Sequence, residues 1–265
     1  VARRRAPDRV VARVGDLVVE RDAERPTGRL LRQDDMDASY IDLADERHLE
    51  FDYLRWARIA LTVAGARRVV HVGGAACALA RALAAADPDG RQEVVELDPV
   101  VLDVAREHLG LRRRPGLKVR VGDGREHLQA RPDDSADAIV LDAFVGARVP
   151  AHLVTDAALA DARRVAPLLL VNVVDTRSLA DTRAIAAGLR AAYPHVVALT
   201  SRGTRGGNVV LVGSVDVVRT DRLVAAAVAD PTPARLVDEA ELARLAGTPT
   251  RQRQHPPAVP RCDRV

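Results

Sequence analysis

The sequence predicts an α/β protein: a mostly parallel, seven-stranded Rossmann-like sheet behind a small N-terminal β-rich unit. Three observations carry this. From Arg68 onward short apolar runs alternate with amphipathic segments, the pattern of parallel strands covered by helices on both faces. The last two apolar runs, HVVALT and NVVLVGS, are joined only through Ser201 to Gly207, too short for a crossover, so they pair antiparallel. Residues 10–43 read as short strands punctuated by turns at Gly15-Asp16 and Pro26-Thr27-Gly28.

Taken in order, residues 1–9 are basic and patternless, and VVARV, LVVER, RLL and SYIDL supply the first strands. A helical period runs from about His48 to Ala64. RVVHV, EVVEL, LKVRV, ADAIVLD and LLLVNVV then alternate with helices predicted over 76–86, 99–109, 124–130, 155–165 and 178–192. A parallel sheet that ends in one antiparallel hairpin fits the class I methyltransferase variant of the Rossmann fold better than the dinucleotide-binding one. After Ser214 come two short helical stretches and a Pro- and Arg-rich tail read as disordered. The expected organisation is a β-rich unit over 1–47, a nucleoside-binding domain over 48–217, and an appendage over 218–265.

Composition narrows the function classes. The 265 residues carry 40 basic and 37 acidic side chains, a net charge of +3, weak grounds for a nucleic-acid partner. Lys118 is the sole lysine, so the basicity is arginine-rich coding bias. Cys77 and Cys262 are too few for a disulfide scaffold or a Cys-rich zinc module. The longest apolar stretch, Val165 to Val174, is broken by Pro167 and Asn172 and too short to span a bilayer. No apolar run follows Arg3-Arg4-Arg5, so an export signal is not expected and a cytoplasmic protein is. The seven histidines never form an i, i+4 pair with carboxylate support, so no metal is expected. His71, inside an apolar strand, reads as a satisfied core histidine.

In a doubly wound sheet, ligands bind beyond the C-terminal strand ends at the switch point. Four strand ends therefore matter together. Gly73-Gly74-Ala75-Ala76-Cys77 is a strand-to-helix turn that lets backbone N–H groups approach a ligand. In Glu96-Leu97-Asp98-Pro99, Asp98 caps the next helix, leaving Glu96 for ribose hydroxyls. Asp123, between Gly122 and Gly124, either accepts from an adenine amino group or simply caps a helix. Asp142 ends an otherwise apolar strand, where capping or a salt bridge is the ordinary role. Of the aromatics ahead of the sheet, Phe51 and Trp56 suit the core, and Tyr53 suits the mouth of a site.

From Ser39 to Ser214 the chain resembles the spermidine synthase family, more closely its actinobacterial spermidine synthase-like branch. The resemblance lies in SYIDLADERHLEFDYLRWA, VVHVGGAACALAR, VVELDPVVLDVAREHL, VRVGDGREHL, IVLDAFVGARVPAHL and RGGNVVLVGS. It implies a small β-domain on a Rossmann-like domain, an S-adenosyl sulfonium donor (S-adenosylmethionine or its decarboxylated form), an attacking small-molecule amine, and a homodimer. It also implies that Glu96 holds the ribose, that Asp123 and Gly124 hold the adenine, that Asp142 deprotonates the amine, and that Tyr53 stands beside it. Four departures stand out: Ala76 replaces the Asp that binds the donor ammonium, Val145 a second acid, Leu54 a Gln, and Gly203 a late tyrosine. The expected activity is aminopropyl transfer to an amine such as a polyamine, with S-adenosylmethionine-dependent N-methyl transfer and a non-catalytic nucleoside- or polyamine-binding scaffold as alternatives.

Overall fold

The computed structural model describes residues 9–176, 178–202 and 207–246. Its first four strands, β1 (Val10–Val14), β2 (Leu17–Arg21), β3 (Gly28–Gln33) and β4 (Met36–Asp42), form an antiparallel sheet in sequential order. Helix α1 (Asp52–Ala64) begins four residues later than the periodicity implied, after an extended Phe51, and ends on the left-handed Gly65.

The central sheet is built from β5 (Arg68–Gly73), β6 (Arg91–Glu96), β7 (Leu117–Val121), β8 (Ala138–Asp142) and β9 (Leu168–Asp175), all parallel, and from β10 (His195–Ser201), β11 (Gly207–Ser214) and β12 (Ala234–Val237). Its order is β12-β10-β11-β9-β8-β5-β6-β7. Between strands run α2 (Ala78–Ala86), α3 (Pro99–His108), α4 (Gly124–Gln129), α5 (Asp156–Val165), α6 (Ala180–Ala192), α7 (Thr220–Ala229) and, last, α8 (Glu239–Ala246). β11 is antiparallel to β10, as the short link between them demands, and also to its other neighbour, β9.

One expectation is corrected. The described sheet has eight strands, not seven, because Ala234–Val237 pairs along the outer edge of β10. Only four residues long and preceded by Pro231-Thr232-Pro233, it carries too little period-2 signal to be seen in sequence. The same segment is tied to α1: Trp56 Nε1 donates to the Thr232 carbonyl (3.3 Å), and Arg55 Nε to Asp230 (3.0 Å). The tail beyond 246 and Gly203 lie outside the described residues.

Alternation along the strands produces two apolar layers. Val69, Leu168 and Leu170 face one cluster with Trp56, Leu79 and Leu102, whereas Val70, Val72, Leu169 and Val171 face another with Leu159, Ile185 and Leu189. Leu17, Val19, Leu31 and Ile41 of the first sheet join the former cluster, so the β-rich unit is docked over the same face as α1 and α2. Its docking places β2–β4 beside the C-terminal ends of β5, β6 and β8. At the C-terminal end of β4, burial would push the pKa of the Asp42 carboxyl up, but bonds from Thr27, the Ala44 amide and Arg25 outweigh it and hold the carboxyl down at about 2. His71 is buried as expected, its Nε2 2.9 Å from Gln92 Oε1.

Candidate active site

Strands β5 and β8 lie side by side where the chain turns to opposite halves of the sheet, and Gly73 is registered against Asp142. A Cβ at Gly73 would sit 2.6 Å from the Asp142 carbonyl oxygen, so only glycine lets these two strand ends meet. The following turn is held open by Gly74 at φ +100° and by left-handed Ala75 and Cys77. Beyond Gly74 there is open space, and the cleft there, about 1520 Å³, runs from the turn to the first sheet.

The side of this cleft formed by the ends of β6 and β7 is built largely on contacts within its own turns. Asp98 Oδ1 accepts from the Val100 amide (2.8 Å) and caps α3. Glu96 Oε1 accepts from the Asp98 amide (3.2 Å), and the Ala75 and Leu97 amides also bond to its carboxylate. Burial nevertheless raises the Glu96 carboxyl above its ordinary range. Asp123 caps α4, its Oδ1 accepting from the Glu126 amide (3.0 Å), while Oδ2 lies 3.1 Å from His152 Nε2 and the residue lines the cleft. Burial opposes ionisation of Asp123, but the Glu126 amide and His152 hold its carboxyl below the usual range. At Gly124 a Cβ would fall 2.2 Å from Val72 Cγ1, so glycine is what lets α4 start this close to β5.

The opposite side is assembled over long sequence distances. Tyr53, from α1, donates its hydroxyl to Asp142 Oδ2 (3.2 Å), and Asn172, from β9, donates its amide to Asp142 Oδ1 (2.8 Å). Asn208, from β11, donates in turn to Asn172 Oδ1 (3.0 Å). Burial pushes the Asp142 carboxyl up, with the bonds from Asn172 and Tyr53 pulling it back. Burial and the adjacent Asp142 charge hold the Tyr53 hydroxyl well above the usual tyrosine range. Phe51 stacks on Tyr53 with ring centroids 6.0 Å apart, so it lines the cleft, while Trp56 is core.

The structure thus brings Tyr53, Gly73, Gly74, Glu96, Asp123, Gly124 and Asp142 around one cleft. It also adds residues that sequence reading missed. Asn172 registered only as an interruption in an apolar run and Asn208 not at all, because neither carries a local motif. His152 sits on a single 3-10 turn, Ala151–Leu153. Glu20, Asp22, Asp34, Asp35 and Asp37 of the first sheet line the cleft with Glu50, so its acidity far exceeds Asp142 and Glu50 alone; Arg9, Arg21 and Arg32 share that rim, and Arg32 pairs with Asp37 (3.1 Å). Ala76 is wholly buried in the core beneath the turn, Leu54 is also buried, and Val145 is exposed on the cleft rim. No group of three or more His, Cys, Asp or Glu suited to a metal occurs among the described residues, and none of their helices is long and apolar enough to cross a membrane.

No protein-family model matches the chain. A polyamine aminopropyltransferase of Vibrio vulnificus is 29% identical over 153 residues, 54% of this chain and 49% of that protein; the match therefore spans about half the length of that relative. Among solved structures, a probable spermidine synthase from Corynebacterium glutamicum superposes with a TM-score of 0.81 at 27% identity, covering 92% of this chain and 94% of that one. A spermidine synthase in complex with the transition-state analogue AdoDATO gives a TM-score of 0.64 at 14% identity, over 91% and 86% of the two chains, and shares the fold. With the switch-point carboxylate and the N-terminal sheet beside it, these curated and structural neighbours point to the spermidine synthase family on a class I methyltransferase-like fold.

Proposed function

We propose that the protein is an aminopropyltransferase of the spermidine synthase type, passing an aminopropyl group from decarboxylated S-adenosylmethionine to a small amine such as a polyamine. One observation carries the reading: a desolvated carboxylate, Asp142, held by Tyr53 and Asn172 next to a glycine turn and the half-buried Glu96, in a cleft rimmed by acidic side chains. The residues suit the donor. Gly73 and Gly74 leave room for it, Glu96 suits its ribose hydroxyls, and Asp123 with Gly124 suits its adenine.

An alkylamine arrives protonated, since its pKa is near the lysine value of about 10.4. The acidic rim draws such a cation in, and Asp142 accepts its proton as the nitrogen is aligned. Tyr53 and Asn172 each occupy one lone-pair direction of the carboxylate, leaving the others to receive the ammonium N–H. The donor supplies an electrophilic carbon on sulfur: the N–C bond forms as the C–S bond breaks, and a neutral thioether leaves. No acid is required for that departure, so alignment provides much of the rate. The reading carries with it the homodimer that the resemblance implies, and the expectations from composition and motif spacing of a cytoplasmic protein that binds neither nucleic acid nor membrane and needs no metal.

Ala76, which brings no carboxylate to the turn, supports a second reading, N-methyl transfer from intact S-adenosylmethionine. The test is to supply both donors with putrescine or spermidine and identify the products. Methylthioadenosine together with a lengthened amine is expected. S-adenosylhomocysteine would replace the proposal with methyl transfer, and donor binding measured by calorimetry without either product would leave a scaffold.

A further inference from the structure

We infer that Asn208 is a positioning residue for Asp142: by bonding to the carbonyl oxygen of Asn172, it fixes that amide with its N–H turned toward the carboxylate. The inference rests on the reading of Asp142 as the proton acceptor. Its geometry comes from the sheet. Across the β9–β11 pair, Val210 is opposite Asn172 and Asn208 is opposite Val174, so the two asparagines are diagonal neighbours on one face. The β8–β9 register ends at Leu141 opposite Val171, which puts Asp142 alongside Asn172. Asp142, Asn172 and Asn208 therefore form a polar row across three strands, with bonds of 2.8 and 3.0 Å.

A primary amide has two faces of similar shape. Turned one way Asn172 donates to a carboxylate, and turned the other it accepts from a carboxylic acid. On its own it would follow the protonation of Asp142 and favour neither form. Asn208 makes that flip costlier: its N–H already faces Asn172 Oδ1 (3.0 Å), so a flipped Asn172 would set N–H against N–H unless Asn208 turned over with it. Asn172 is thereby kept as a donor, which favours the ionised carboxylate that a proton acceptor must start from. Asp142 is faced from α1 by Tyr53, from β9 by Asn172 and from β5 by the backbone of Gly73, so Tyr53 is the titratable group packed against it. Tyr53 donates to the carboxylate and therefore supports the same state.

The test uses the full chain carrying Asn208→Leu, which keeps the volume and removes the amide, and Asn208→Gln, which restores a donor. Two readouts are followed against pH: kcat/KM for transfer, and the carbon-13 NMR titration of the Asp142 carboxyl, assigned by its disappearance in Asp142→Asn. Asn208→Leu is expected to lower kcat/KM about fivefold at pH 6, the size of one lost hydrogen bond. The loss should shrink as pH rises, with the carboxyl titrating at higher pH and donor affinity unchanged; Asn208→Gln should reverse it. A loss uniform across pH with no movement of the carboxyl titration overturns the inference, as does no effect at all. If Asn208→Leu does not fold, Asn208→Ala is read the same way. If the carboxyl titration moves but the protein transfers no aminopropyl group, the positioning role stands and the proposed function falls.

Discussion

The two sides of the cleft are made in different ways. On the proposed nucleoside side each acid has a bond within its own turn, Asp98 to Glu96 two residues apart and Asp123 to Glu126 three apart, with the Ala75 amide and His152 as more distant partners. On the amine side, Tyr53 and Asp142 are 89 residues apart, Asn172 and Asp142 30, and Asn172 and Asn208 36. The first side is a set of strand-to-helix turns whose capping chemistry dictates geometry wherever the motif occurs. The second exists only once the sheet has closed. A nucleoside cradle of this kind is portable among folds of one class, whereas the amine side is particular to this chain.

The largest expected effect separates the two sides. Asp142→Asn should lower the transfer rate by on the order of 10²–10⁴-fold while leaving donor affinity unchanged. Equal losses in rate and donor binding would mean that the sides are not independent. The same variant should raise the melting temperature at neutral pH. Burial lifts the folded-state carboxyl above its ordinary value, so between that value and the raised one the native state holds more protons than the unfolded state. Stability contributed by this group therefore falls as pH rises through that window, and removing the charge relieves it. Transfer should conversely increase as pH rises through the raised value, since only the ionised carboxylate accepts a proton.

Glu96→Ala sharpens the contrast from the other side. Calorimetry should show nucleoside affinity weakened about tenfold, near 1.4 kcal/mol, with the pH dependence of transfer unaltered. A changed pH profile would assign Glu96 to the chemistry instead of the cradle. The smallest effect is expected at Gly124→Ala, where the added Cβ meets Val72 and the start of α4 must shift. A destabilisation of about 1–3 kcal/mol in chemical denaturation, as for overpacking, should accompany modestly weaker donor binding. Wild-type stability would show that α4 is not held as closely as the contact implies.

Legibility in the sequence follows the same division. The element order, the parallel core, the antiparallel hairpin and the β-rich start were readable because each follows from local period and link length. Glu96, Asp98, Asp123 and Gly124 were readable for the same reason. Asp142 was marked by being polar at an apolar strand's end. Its supports were not: Asn172 lies inside LLLVNVV and Asn208 opens NVVLVGS, and nothing nearby tells that one amide faces the carboxylate and the other backs it. Tyr53 suited the mouth of a site as an amphipathic aromatic ahead of the sheet, but only family resemblance set it beside the amine. Acids of the first sheet's turns, such as Asp34 and Asp35, lie where acidic residues are ordinary, so their convergence on the cleft depends on docking of the β-rich unit.

The reversed direction of β11 has an evolutionary consequence. A parallel strand delivers its final residues to the cleft and is bound at that point to the helix that follows, so a substitution there disturbs a cap. β11 instead delivers its first residues, Gly207 and Asn208, which follow a link and owe nothing to a helix. Mutations at this corner can accumulate without altering the cradle that secures the nucleoside. In a lineage that changes its amine but keeps its donor, this strand start can be altered at a cost to the placement of Asp142 but at none to a helix cap.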